Sequence, residues 1–196
     1  PAVTAMNIYA DDMLVEPIKI AHGFADVPTG YGLGVEIDTD AIEKYKMKIL
    51  FIGQSNYGST SLMRFEMIQK YFGCSVQLIN ISPIIEDTWK PFRSIGWRFQ
   101  IGPFIKFINE AIITGLDKKN KYDLIWIEKG VFIKETTLIQ LKNVSKRLVH
   151  FTPDPAFLYH KSRHFIQGLK HYDFCITTKK FELELYYNKG IKNVIY

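Results

Sequence analysis

The sequence is short of three things: cysteine, long apolar runs and, over its first 46 residues, positive charge. Two cysteines in 196 residues, Cys74 and Cys175, exclude a disulfide-stapled secreted scaffold. Both lie in apolar, strand-like surroundings and read as buried thiols, as expected in a reducing cytoplasm. No apolar run approaches the ~20 residues that cross a bilayer, and no basic-then-apolar leader opens the sequence, so no membrane span is expected. Of 25 basic and 20 acidic groups, residues 1–46 hold 3 and 8, leaving 22 and 12 for residues 47–196; the two parts carry −5 and +10. All three Trp also follow Met47. A break of this size at one point implies two segments of different origin. What is present, 47% hydrophobic and 23% charged residues, belongs to a globular chain and not a disordered one.

Residues 1–46 hold too little apolar surface for a core of their own. "MLVEPIKIAHGFADVP" (Met13 to Pro28) gives two short extended runs about a turn at His22-Gly23. "TGYGLGVEIDTDAIEKY" follows with a short strand "GVEI" and a polar helical turn capped by Asp38 or Thr39. The acidic Asp11, Asp12 and Glu16 fit a solvated face better than a metal site. The stretch "LVEPIKIAHGFADVPTGYGLGVEIDTDAIEKY" resembles the C-terminal tail of the mandelate racemase/muconate lactonizing branch of the enolase superfamily. Its "VPTGYGLGVEID" carries that family's closing P-x-G-x-GLG-V-x-x-D pattern. The resemblance implies no catalysis here, because the family's magnesium ligands and bases lie upstream of this tail. "IEKYK" then reads as an ending and "MKILFIG" as a beginning. Read-through, frameshift, an assembly join and a true fusion with an enolase-superfamily dehydratase or racemase all produce such a junction.

From Met47 strands and helices alternate. "KILFI", "SVQLINI", "YDLIWI", "RLVHF", "DFCIT" and "KNVIY" read as strands, the first a continuous apolar run of the kind buried on both faces. Between them lie a helix with Leu62, Phe65, Ile68 and Phe72 on one face, ended at Gly73, and a helix from Pro103 to Gly115. Two more follow, around "ETTLIQLK" and along "KKFELELYYNK" behind a Thr178 cap. The stretch "SPIIEDTWKPFRSIGWRFQIG" reads as irregular and aromatic. Its Trp89, Phe92, Trp97 and Phe99 suit either a loop packed over the sheet or a sugar-stacking patch. The expected fold is α/β, a Rossmann-like open parallel sheet with helices on both faces, whose ligands bind at the carboxyl ends of the strands.

Three loops fall there: "GQSNYGST" (Gly53 to Thr60), "EKGVF" (Glu128 to Phe132) and "HFTPDPAFLYHKSRHF" (His150 to Phe165). The first departs from a P-loop because Ser59 stands where the phosphate-binding Lys belongs. "DLIWIE" likewise offers Glu128 where a Walker-B strand usually has Asp, so nucleotide hydrolysis is not expected. What survives is a glycine loop feeding a helix N-terminus, capped by Ser59, Thr60 or Ser61, with amides for an anion or a sugar hydroxyl, or a plain tight turn. In the third loop Pro153 and Pro155 bracket Asp154 and hold its carboxylate at a strand end. His150, Tyr159, His160, Lys161, Arg163 and His164 surround it. Only His160 and His164 have ligand spacing, with Lys161 and Arg163 between them opposing a cation, so no metal is expected. The +10 charge brings no nucleic-acid recognition motif with it, and no nucleic-acid partner is expected.

"MKILFIGQSNYGSTSLMRFEMIQKYFG", "YDLIWIEKGVFI", "LVHFTPDPAFLYHKSRHF" and "YDFCITTKKFELELYYNKGIKNVIY" together resemble the N-terminal half of GT-B-type glycosyltransferases, in particular the CgeB-like (spore-maturation protein) group. The resemblance implies the acceptor-side lobe of an enzyme that moves a sugar from a nucleotide-sugar donor to an acceptor glycan or other hydroxyl. It implies a C-terminal donor lobe beyond Tyr196, no cofactor held by this chain, and no turnover by the chain alone. By the same resemblance Asp154 is the first candidate for the general base and His150 the second. Gly53, Gly58, Ser59, Thr60, Lys129 and Tyr159 are then the candidate substrate contacts. The alternative is a non-enzymatic, flavodoxin-like binding module.

Overall fold

The computed structural model describes residues 14–18, 20–25, 27–32, 34–41, 46–72, 75–117, 119, 121–159 and 162–196. Asp11, Asp12, Gly73, Cys74, His160 and Lys161 lie outside the described residues. The chain divides into two compact units, Pro1–Lys46 and Met47–Tyr196.

In the first unit, β1 (Ile20–Ala21) and β2 (Phe24–Ala25) pair antiparallel across His22 and Gly23, both at positive φ. "GVEI" forms no strand: Ile37 makes an isolated bridge to Leu14, and Glu36 O accepts from Val15 N at 2.9 Å. Asp38 is the cap, its Oδ1 accepting from the amides of Asp40 and Ala41. The turn it starts is described for residues 39–41 only. Phe24, Val27 and Tyr31 are exposed, so these apolar side chains form no core of their own.

The second unit is a six-stranded parallel sheet ordered β4-β3-β5-β6-β7-β8. Its strands are β3 (Lys48–Gly53), β4 (Ser75–Asn80), β5 (Tyr122–Glu128), β6 (Ser145–Thr152), β7 (Phe174–Thr177) and β8 (Val194–Ile195). The helices are α1 (Thr60–Phe72), α2 (Ser82–Asp87), α3 (Lys90–Phe99), α4 (Pro103–Thr114), α5 (Glu135–Asn143), α6 (Ala156–Tyr159), α7 (Arg163–Gly168) and α8 (Leu183–Tyr187). β3 is an interior, apolar strand between β4 and β5, and is buried on both sides. Leu50, Ile52, Ile125, Ile127 and Leu148 face one layer, where they join α4 (Phe104, Ile105, Ile108), α5 (Leu138, Leu141) and α7 (Phe165) in one cluster. Phe51 faces the other layer, where Phe65 of α1 meets its ring edge-on at 5.8 Å and Trp126 stacks beside it. The fold is thus a Rossmann-like α/β sheet with helices on both faces. Among the described residues no helix is long and apolar enough to cross a membrane.

Three further expectations are corrected. The stretch after β4 is not irregular but two helices, α2 and α3, each with Pro in its first turn, where a missing N–H costs nothing. Gly96 inside α3 lets it lie close on α4: a Cβ there would meet Phe104 at 2.3 Å. The loop after β6 contains α6 and the start of α7, capped by Ser162, whose Oγ accepts from Phe165 N at 2.7 Å. Thr178 caps nothing; its hydroxyl donates to Pro153 O, and the helix is broken into a 3-10 turn (Lys180–Glu182) and α8.

Candidate functional site

Strand order reverses at β3: the chain steps out to β4, then returns to place β5 on the other side of β3. The loops leaving β3 and β5 therefore diverge, and a crevice opens at their carboxyl ends. A cavity of about 160 Å³ occupies it. One wall is apolar, from Ile52, Ile81, Trp97, Phe132 and Ile133; the other is polar, from Gln54, Ser59, Thr60, Ser61, Arg64, Glu128 and Lys129.

The polar wall is set by close approach. At Gly53 a Cβ would meet Ser61 Oγ at 2.8 Å and Glu128 at 3.0 Å, so only glycine lets α1 start this near β5. Ser59 caps α1: its Oγ accepts from Leu62 N at 3.1 Å and donates to Gln54 O at 3.3 Å. The amides of Thr60 and Ser61 are left without an intrahelical acceptor, as first-turn amides are. Gly58 turns the loop at φ 75, with open space around it. Asn80 fastens this loop to the next, its Oδ1 accepting from Ser55 N and Ser82 N and its amide donating to Ser55 O.

The polar wall contains an ion pair that sequence reasoning missed. Arg64 of α1 donates through Nε (2.7 Å) and Nη2 (2.8 Å) to the two oxygens of Glu128, whose side chain is 2% exposed. Trp126 Nε1 adds a third donor at 3.0 Å, and the guanidinium lies 4.6 Å over the Phe151 ring. Such a bidentate, desolvated arrangement fixes α1 against β5. The partners are 64 residues apart, and Glu128 drew notice only as an imperfect Walker acid.

After β5 the backbone takes two left-handed residues in succession, Lys129 (φ 62) and Gly130 (φ 60). A Cβ at Gly130 would meet Tyr172 Oη at 2.8 Å. Lys129 N donates to Phe151 O, and its Nζ reaches Asp154 Oδ2 at 2.8 Å, both side chains half-exposed. Asp154 is held in turn: Thr152 Oγ1 donates to its carbonyl, and the buried Glu182 takes the amide of Phe157 at 2.8 Å.

The structure thus brings Ser59, Thr60 and Lys129 together at the crevice, with Asp154 joined through Lys129, while Gly53 is outside the cavity lining and packs against Ser61 and Glu128. Gly58 shapes the first loop, and Tyr159 is exposed at the end of α6, outside the cavity lining. His150 is corrected. It is 0% exposed, with its ring between Phe165 and Tyr172 and its Nε2 on Lys129 O at 3.0 Å. A base must reach the proton it takes; the enclosed His150 instead supports the turn that presents Lys129. Trp97 alone of the four aromatic candidates lines the cavity, although it is exposed as Trp89, Phe92 and Phe99 are. Among the described residues no group of three or more His, Cys, Asp or Glu is placed to hold a metal.

An open parallel sheet with a half-enclosed cavity at its switch point is the ligand-binding arrangement of Rossmann-like α/β proteins. No protein-family model matches the chain, and no curated protein matches it.

Proposed function

We propose that residues 47–196 are the acceptor-side lobe of a nucleotide-sugar-dependent glycosyltransferase. The observation that supports this reading is the switch-point cavity, whose lining mixes hydroxyl-bearing and apolar side chains and includes Lys129, the residue on which the Asp154 carboxylate is held. Asp154 would take the acceptor proton, and Lys129 would hold the carboxylate in place. A donor lobe facing the crevice would carry most of the nucleotide sugar and stabilise the departing diphosphate. The test is nucleoside diphosphate release from a panel of nucleotide sugars by the natural gene product that contains residues 47–196. Asp154→Asn is expected to lower kcat by about 10² or more with little change in KM. Undiminished turnover in that variant, or no release from any donor, ends the proposal.

A second reading, a non-enzymatic binding module, draws on the order β4-β3-β5-β6-β7, which is that of flavodoxin-like sheets. It expects ligand binding at the same crevice with no chemistry following.

A further inference from the structure

α3 buries very little of itself. Of its ten residues Gly96 alone is buried, close against Phe104. Arg93 ties the helix to α2, donating to Ile85 O at 3.0 Å and Glu86 O at 3.3 Å. The large apolar side chains of α3 are therefore not core residues. Phe92, Ile95 and Phe99 recur at i, i+3 and i+7 and form one stripe along the helix. Trp89 extends the stripe at one end, its ring edge-on to Phe92 at 5.1 Å, and Phe107 of α4 lines the same shallow depression. Ile101 follows at the other end. These six side chains are each 37–65% exposed. A single exposed apolar residue is ordinary, whereas a contiguous group marks a surface that meets something.

The charge around the stripe has one sign. From Trp89 to Phe107 the chain holds four basic residues, Lys90, Arg93, Arg98 and Lys106, and no acidic one. Lys90, Arg98 and Lys106 are exposed. Asp87 and Glu110 flank the segment, and Glu110 lies 3.6 Å from Lys106. Arg98 reaches over the Phe99 ring at 5.7 Å, so cation and apolar ring stand side by side. An exposed helix with this mixture matches an extended anionic lipid surface: its apolar side chains enter the boundary between headgroups and acyl chains while its cations meet the phosphates. Nucleic acid would stack bases on the rings, but Ile95 and Ile101 offer it neither stacking nor hydrogen bonds.

We propose that α3 docks residues 47–196 on an anionic lipid surface, with Trp89, Phe92, Ile95 and Phe99 inserted and Lys90, Arg98 and Lys106 on the headgroups. The proposal does not depend on the transferase reading. It bears on the crevice all the same: Trp97, on the opposite flank of α3, rests on Phe132 and lines the cavity. The docked helix thus holds that opening about one helix diameter, ~10 Å, from the lipid.

The test is flotation of the full chain with vesicles of phosphatidylcholine, with and without phosphatidylglycerol. The chain is expected to float with the anionic vesicles and far less with the neutral ones. Lys90→Gln/Arg98→Gln should lower binding about 25-fold, roughly fivefold per charge, and Phe99→Ala about tenfold. Lys189→Gln/Lys192→Gln makes the same change in net charge at exposed positions elsewhere and should alter binding about twofold or less. Brominated phosphatidylcholine in the anionic vesicles should quench tryptophan fluorescence, and Trp89→Phe should remove most of that quenching. No flotation with anionic vesicles, an equal loss in the Lys189/Lys192 variant, or binding without quenching would each overturn the proposal. Retention on a mixed-sequence oligonucleotide in place of flotation assigns the patch to nucleic acid and overturns it as well. Should the natural gene product fail to float where the 196-residue chain does, another part of that protein covers α3 and the proposal fails. Flotation without sugar transfer leaves it standing and removes the transferase; transfer by a protein that does not float does the reverse.

Discussion

Replacing Arg64 by Met keeps much of the side chain's bulk but removes the guanidinium from Glu128. The carboxylate, 2% exposed, is left with Trp126 Nε1 as its one side-chain donor among those described. Breaking a buried pair from one side costs about 3–5 kcal/mol. Arg64 itself is 25% exposed, so water reaches part of the vacated space and the low end applies. A loss of about 3 kcal/mol is a large share of the total stability of a domain this size. Glu128→Gln strands the less buried partner, which rehydrates, and should cost about 1–2 kcal/mol. Removing both charges in Arg64→Met/Glu128→Leu should recover most of the loss, because apolar side chains of similar volume often replace a buried pair without penalty. The assay is urea unfolding followed by tryptophan fluorescence, which reports on residues 47–196 alone because all three Trp lie there. If Arg64→Met falls within about 0.5 kcal/mol of wild type, the range of ordinary surface substitutions, the pair does not fasten α1 to β5 and the reasoning fails.

Two further outcomes follow from titrating groups. Burial raises the carboxyls of Asp173 and Asp123, but Lys142 with the Leu148 amide, and Lys146 with the Lys48 amide, outweigh it and hold both below the usual range. A depressed native pKa contributes stability above the unfolded value of about 3.9 and loses it as pH falls through the native value. The acid limb of a thermal-melt series should therefore lie below about pH 4, and Asp173→Asn should flatten it; an unchanged limb in that variant removes Asp173 from the account. Burial pushes the Cys175 thiol up to about 12. A raised native pKa stabilises below the unfolded value and loses that contribution as pH climbs towards 12. Peptide mass mapping should accordingly find Cys175 unalkylated in the native protein at neutral pH and modified in urea; rapid native labelling contradicts its enclosure.

The sheet was legible because each of its main strands is a short apolar run bounded by turn residues, and a parallel strand buried on both faces has to be one. The helices after β4 were harder to see. Pro83 and Pro91 each sit in a first turn, and the aromatics around them pointed to an irregular stretch. The site divides the same way. Gly53, Ser59 and Lys129 could be placed at strand ends from pattern alone. Arg64 could not, since only the approach of α1 to β5 gives it a partner. A single Arg on a helix that otherwise turns Phe65 to the sheet was the available signal. His150 misled because a histidine at a strand end looks the same in sequence whether its ring faces a crevice or a core.

The glycines around the cavity carry a consequence for how it can change. Gly53, Gly96 and Gly130 each leave no room for a methyl group, being crowded by Ser61 and Glu128, by Phe104, and by Tyr172. Backbone proximity frames the opening, and natural variation is barred from those three positions. Divergence towards new guests must run through Gln54, Ser61, Trp97 and Phe132, so related chains should differ there while keeping the same frame.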